Sequence, residues 1–88
     1  MTTTDRKILN LIEILKEKGV ITYNTEFCDA IGLLKQNLQN IKTGRNHFTP
    51  EHIEQIVKNF KVDANWIFGA SDEVFLNESK KINYDQAI

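Results

Sequence analysis

The middle of the chain carries amide and cationic side chains at spacings that suit hydrogen bonding to the edges of nucleic-acid bases. These residues are Lys35, Gln36, Gln39 and Asn40. A Gln or Asn carboxamide can donate to and accept from one adenine edge, and a lysine can donate to guanine. No carboxylate interrupts the polar residues up to Arg45. Taken alone, the same residues also fit a merely solvated helix, so the interpretation depends on the elements that position them.

Apolar residues recur at helical spacing in five segments, and capping residues or glycines mark the segment ends. The pattern predicts helices over about 5–18, 24–31 and 35–43, a fourth that begins at Pro50 and runs through Phe60, and a short fifth up to Gly69. We therefore expect an all-α bundle of about five short helices in a domain over residues 1–69. Residues 70–88 form a C-terminal extension for which helix, strand and flexible tail stay open.

Residues 24–45 have the pattern of a helix-turn-helix. Gly32 lies between the second and third predicted helices, where a residue without Cβ lets the chain reverse in a left-handed conformation. Six apolar residues are expected to lock the two helices together: Phe27, Cys28, Ile31, Leu33, Leu38 and Ile41. This geometry would present the third helix to the major groove of DNA.

Two stretches of the chain resemble one known family. They are NTEFCDAIGLLKQNLQNIKTGR and FTPEHIEQIVKNFKVDANWIFG, and together with the first helix they cover roughly residues 5–69. They resemble the phage-repressor and Cro-like helix-turn-helix regulators, also called the XRE family. The resemblance implies a lambda-repressor-like fold and sequence-specific binding of double-stranded DNA by a transcriptional regulator, with repression as the expected outcome.

The resemblance also assigns roles to individual residues. The base contacts that it implies are Lys35, Gln36, Gln39 and Asn40. The phosphate contacts that it implies are Asn24, Thr25, Lys42, Thr43, Arg45 and Asn46. This chain departs from the family at Cys28, where alanine is frequent, and at Leu34, where a serine or threonine often caps the third helix. Leucine cannot cap, and loss of a cap costs about 0.5 to 2 kcal/mol.

Charge is distributed unevenly along the chain. The net charge is −1, which by itself argues against phosphate binding. Residues 33–61, however, contain five Lys or Arg against two Glu, and residues 62–88 contain two Lys against five carboxylates. A basic middle and an acidic tail would allow one positive face on a nearly neutral molecule.

Other features bear on the alternatives. Cys28 is the one cysteine, which excludes an intrachain disulfide, and we interpret it as a core residue, as we do Trp66 and Phe68. His47 and His52 lack a matching third ligand, so no metal site is expected. Neither a glycine-rich phosphate loop nor a spaced nucleophile, histidine and acid is present. The sequence predicts no enzyme, no catalytic residue and no cofactor. No stretch is apolar enough for a membrane span or a signal peptide, so a cytoplasmic location is expected.

Partners remain as two hypotheses. The first is a homodimer on a pseudo-palindromic operator, because one domain of this size buries limited surface on DNA and half-sites lie about 34 Å apart. The tail from Ala70 onward is the candidate dimer interface, or else a linker to a deleted effector domain. The second hypothesis is a protein-interaction module, such as an antitoxin or antirepressor subunit, that keeps the fold but uses the third helix or the tail to bind another protein.

Overall fold

The computed structural model describes residues 1–76 and contains five α-helices over that range. They are α1 (Thr3–Glu17), α2 (Asn24–Ile31), α3 (Lys35–Lys42), α4 (Pro50–Phe60) and α5 (Ala64–Ile67). Helix α1 packs against α5, and α2 packs against both α3 and α4. The predicted all-α bundle of five short helices is confirmed.

Capping residues explain where the helices begin. Helix α1 starts two residues earlier than predicted, because the hydroxyl of Thr2 accepts a hydrogen bond from the Asp5 amide (3.1 Å) while Asp5 Oδ2 accepts from the Thr2 amide (3.2 Å). This reciprocal pair is a capping box. Helix α4 starts at Pro50 as predicted, after Thr49 caps the His52 amide. Both helices thus begin where a threonine satisfies free amide groups of the first turn.

One apolar core holds the helices together. Helix α1 contributes a stripe of four fully buried residues, Ile8, Leu11, Ile12 and Leu15. Phe27 of α2 stacks on Phe60 of α4 with ring centroids 5.4 Å apart. Burying a side chain such as Phe27 contributes about 1.5 to 3 kcal/mol. The stacking therefore fixes the first helix of the predicted helix-turn-helix against α4.

Two of the three individual core predictions are confirmed, and the third is wrong. Cys28 and Trp66 are buried, and the amine of Lys7 lies 4.7 Å from the centre of the Trp66 ring. Phe68, however, is 61% exposed. Each residue of a helix turns the side-chain direction by about 100° around the axis, so side chains two residues apart lie on nearly opposite sides. Once Trp66 faces the core, Phe68 at the C-cap of α5 must face outward.

Part of the C-terminal extension packs on the domain. Val62 and Phe75 form an isolated antiparallel bridge, in which the Asp63 amide donates to the Val74 carbonyl and the Leu76 amide donates to the Lys61 carbonyl, both at 2.8 Å. Val74 and Phe75 are half-buried. Residues 74–76 are thus extended and paired. The rest of the predicted extension, 77–88, lies outside the described residues.

Among residues 1–76, no helix combines the length and the apolar character that crossing a membrane requires.

Candidate nucleic-acid interface

The turn between α2 and α3 is closed by backbone hydrogen bonds around Gly32. Gly32 adopts a left-handed conformation with φ of 70°, and the Leu33 amide donates to the Cys28 carbonyl at 2.9 Å. The side-chain amide of Asn59 on α4 donates to the Ala30 carbonyl at 2.7 Å. These bonds satisfy carbonyl groups that the end of a helix leaves free. The predicted turn glycine is therefore confirmed, and α4 braces the end of α2.

Helix α3 presents one apolar and one polar face. Leu38 and Ile41 are buried with Leu33 in the core. Lys35, Gln36 and Gln39 are exposed, and Asn40 is half-buried. The four residues predicted to contact bases thus lie on one eight-residue helix, and three of them are fully accessible.

Two amide side chains on the polar face contact each other. Gln36 Nε2 lies 3.5 Å from Asn40 Oδ1, one helical turn away. Pairs at this spacing are neighbours on a helix surface. The contact leaves Gln36 Oε1 as an acceptor and Asn40 Nδ2 as a donor, since no other bond in the described chain uses them. A donor and an acceptor beside each other suit recognition of an adenine edge.

The chain folds back on the end of α3 around the Asn40 carbonyl. That oxygen accepts from the Thr43 hydroxyl (3.0 Å), the Arg45 amide (2.8 Å) and the Asn46 amide (3.3 Å). The turn gathers the exposed side chains of Lys42, Thr43, Arg45 and Asn46 at one end of the helix. Because the backbone amides of Arg45 and Asn46 are already bonded, their side chains are the groups available to an anion.

The start of α2 is less open to an anion than the end of α3. Asn24 is half-buried, and its Oδ1 is buried without a hydrogen-bond partner. The Glu26 carboxylate accepts from the backbone amides of Thr22 and Tyr23, each at 3.2 Å. Thr25 is exposed. Of the six predicted phosphate contacts, Asn24 and Thr25 at this helix start therefore have the Glu26 carboxylate nearby.

The surface of α3 and the following loop is positively charged. Residues 33–50 contain three cationic side chains and no carboxylate. All three cations, Lys35, Lys42 and Arg45, are exposed. Beneath this surface, burial and the neighbouring charge of Asp29 raise the pKa of the Cys28 thiol, so Cys28 stays neutral and serves the core. The local charge thus has the sign that phosphate binding requires.

A buried carboxylate anchors the loop that follows α3. Asp5 is 1% exposed, and its Oδ1 accepts from the Phe48 amide at 3.0 Å while its Oδ2 lies 2.6 Å from His47 Nδ1. This anchor is not predicted from the sequence. The Thr2 and Asp5 spacing signals the helix cap, but no local pattern indicates a partner 42 residues away.

The start of α3 has no side-chain cap. Leu34 occupies the N-cap position, makes no capping hydrogen bond and is 70% exposed. Its carbonyl still accepts from the Asn37 and Leu38 amides at 2.9 and 3.2 Å, so the helix begins there. The prediction that leucine does not cap this helix is confirmed.

The histidines of this region bond within the chain. His47 contacts Asp5, and His52 Nδ1 accepts from the Thr49 amide at 3.0 Å. Burial lowers the pKa of His52, which favours the neutral ring that this bond requires. Within the part of the chain that the structure describes, no three His, Cys, Asp or Glu side chains are grouped to hold a metal ion.

Comparisons with protein-family models, with curated protein sequences and with solved structures gave no match to this chain.

Proposed function

We propose that the chain binds double-stranded DNA sequence-specifically as a transcriptional regulator, acting as a repressor in the cytoplasm. The observation that supports this best is the outward face of α3. Lys35, Gln36 and Gln39 are exposed there, on a helix set off from α2 by the Gly32 turn. A helix that carries amides and a lysine, without a carboxylate, suits the hydrogen-bond pattern of the major groove.

In this proposal the residues that contact DNA divide into two groups. Lys35, Gln36, Gln39 and Asn40 contact base edges, where the Gln36 and Asn40 amides lie beside each other. Lys42, Thr43, Arg45 and Asn46 contact phosphates at the end of the helix, and Asn24 and Thr25 contact a phosphate from the start of α2. Phosphate contacts fix the orientation of the protein, and base contacts confer specificity.

The net charge of −1 is compatible with this function because the charge is segregated. Residues 33–50 carry three cations and no carboxylate, while carboxylates such as Asp72 and Glu73 lie near the described end of the chain. Screening at physiological salt limits the reach of exposed charges to about 8 Å. A phosphate at the end of α3 would therefore interact mainly with Lys42 and Arg45.

A second copy of the chain completes the proposal. One small domain places one helix in one groove, and two copies related by a two-fold axis read half-sites about 34 Å apart. Specific affinity then comes from two sets of contacts. A pseudo-palindromic operator is the expected ligand.

The test is selection from a random duplex library at low salt with the full chain. We expect enrichment of a two-fold-symmetric sequence, and Gln36→Ala should change the preferred base at symmetric positions of that sequence. Enrichment of no sequence by the wild-type chain would contradict DNA binding. Enrichment of the same sequence by Gln36→Ala would contradict the role given to that residue.

A protein-interaction module is the second candidate function, and two exposed side chains favour it. Tyr23 is 68% exposed and Leu34 is 70% exposed, at the starts of α2 and α3. Tyrosine is a frequent anchor of protein interfaces, and the exposed leucine adds apolar surface. An antitoxin or antirepressor subunit with this fold would select no duplex. Replacing Tyr23 and Leu34 by serine would then weaken its protein contact and leave the monomer folded.

A further inference from the structure

An apolar groove lies between the start of α1, helix α4 and helix α5. Its volume is about 600 Å³, and its apolar lining comes from Phe48, Pro50, Ile53, Val57 and Ala64. These residues come from the stretch 48–57 and from α5, and Thr2 and Thr4 add to the lining from the start of α1. The groove is large enough for at least one bulky side chain, since binding pockets commonly measure about 300 to 1,000 Å³.

An exposed aromatic ring borders the same groove. Phe68 lines it and is nevertheless 61% exposed. A phenylalanine that becomes fully buried removes about 150 to 250 Å² from water. The exposed Phe68 ring thus lies beside an apolar groove. In a pair of chains, the Phe68 ring of each copy could enter the groove of the other copy.

The charged residues at the groove favour association of two identical copies of the chain. Glu54 and Lys58 of α4 both line the groove, and their side chains are more than half exposed. The Lys58 amine lies 2.8 Å from a carboxylate oxygen of Glu54. A two-fold axis perpendicular to α4 would make the two α4 helices antiparallel. Glu54 of each copy would then face Lys58 of the other, so the charges are complementary to themselves, as an isologous interface requires.

We propose that this groove is the self-association surface of the chain, with the Phe68 ring of each copy in the groove of the other. This inference rests on the proposed function, because the role of the dimer would be to place two copies of α3 on a two-fold operator. The contact itself involves no DNA, so it is tested without DNA.

The position of the C-terminal extension favours this surface over the interface expected from the sequence. Phe75 contacts Lys18 just past the end of α1, whereas the groove is lined by Thr2 and Thr4 at its beginning. A helix of 15 residues separates these two places by about 22 Å. Val74 and Phe75 are already packed against the domain. The described part of the extension therefore leaves the groove open.

Sedimentation equilibrium of the full chain without DNA tests the proposal. A contact anchored by one aromatic ring from each copy is expected to be weak, so the loading concentrations should extend from about 5 to about 500 µM. We expect the mass to rise from 10.2 kDa toward twice that value. Phe68→Ser should weaken the dimer at least about tenfold. Tyr23→Ser, a control that removes an aromatic side chain of similar exposure elsewhere, should leave the dimer unchanged.

A charge exchange on α4 provides the second arm. Glu54→Lys would place lysines opposite each other and should weaken the dimer, and adding Lys58→Glu should restore it. Circular dichroism confirms that each variant folds. A monomer at all concentrations, or a dimer that neither Phe68→Ser nor Glu54→Lys weakens, would overturn the proposal. A dimer that enriches no duplex would instead contradict the proposed function and leave the interface standing.

Discussion

Nδ1 of His47 lies 2.6 Å from Oδ2 of Asp5, and this contact joins the loop after α3 to the first turn of α1. The same carboxylate accepts from the Phe48 amide and caps the start of α1. Because Asp5 is buried, these hydrogen bonds are shielded from water. Hydrogen bonds to a charged group contribute about 1.5 to 3 kcal/mol each to stability. Asp5 thereby fixes the loop that carries Arg45 and Asn46.

The Asp5 anchor predicts a loss of stability in acid. Burial alone would raise the pKa of Asp5, but the hydrogen bonds from His47, Phe48 and Thr2 outweigh it and lower the pKa below 3.8. A carboxyl whose pKa is lower in the folded chain contributes stability above its unfolded pKa and loses it as the pH falls through the folded value. We expect Asp5→Asn to be about 2 kcal/mol less stable than wild type at pH 7.

Urea denaturation as a function of pH checks this prediction. The difference between wild type and Asp5→Asn should shrink as the pH falls below about 4. Asp72→Asn, at an exposed position, is the matched control and should differ little from wild type at either pH. A difference for Asp5→Asn that stays constant down to the acid transition would contradict the role of the carboxylate charge.

The uncapped start of α3 predicts a stabilising substitution. Leu34 has extended backbone angles at the N-cap, φ −70° and ψ 143°, which suit a serine whose hydroxyl would accept from an amide of the first turn. Leu34→Ser should add about 1 kcal/mol, which corresponds to a rise in Tm of about 4 to 8 °C for a domain of this size. Leu34→Ala is the control, because it removes the exposed leucine without adding a capping hydroxyl. An equal Tm for the two variants would show that the cap adds nothing.

Arg45 is expected to affect the salt dependence of DNA binding. Each phosphate contact adds about 0.9 to the slope of log K against log salt. Arg45→Gln should therefore reduce the slope on an enriched duplex by about 1 while keeping the preferred sequence. Lys16→Gln is the control, because Lys16 pairs with Glu13 on α1. An unchanged slope for Arg45→Gln would remove Arg45 from the phosphate contacts.

The sequence predicts elements that depend on local signals and misses contacts that depend on distant ones. The Thr49 and Pro50 pair marks the start of α4, and Gly32 marks the turn, because each acts on its own neighbours in the chain. Local spacing also separates the buried Leu38 and Ile41 from the exposed face of α3. The four predicted base contacts therefore lie on one helix.

Long-range packing decided what the sequence could not predict. Phe68 belongs to an apolar triplet with Trp66 and Ile67, and nothing in the pattern indicates which of the three faces outward. The partners of Asp5 lie 42 and 43 residues away. The buried Oδ1 of Asn24 likewise depends on the neighbours that α2 acquires in the fold. These features follow from how the helices meet.

The central claim is that the outward face of α3 contacts bases, and two variants with the same change of charge test it most directly. Gln39 is exposed on α3 and Asn10 is exposed on α1, so Gln39→Glu and Asn10→Asp each replace one amide by a carboxylate. Their affinities for a library-enriched duplex are measured by fluorescence anisotropy at one salt concentration. The account predicts a loss of about 10- to 100-fold for Gln39→Glu and less than about threefold for Asn10→Asp. Equal losses for the two variants, or none for Gln39→Glu, would contradict it.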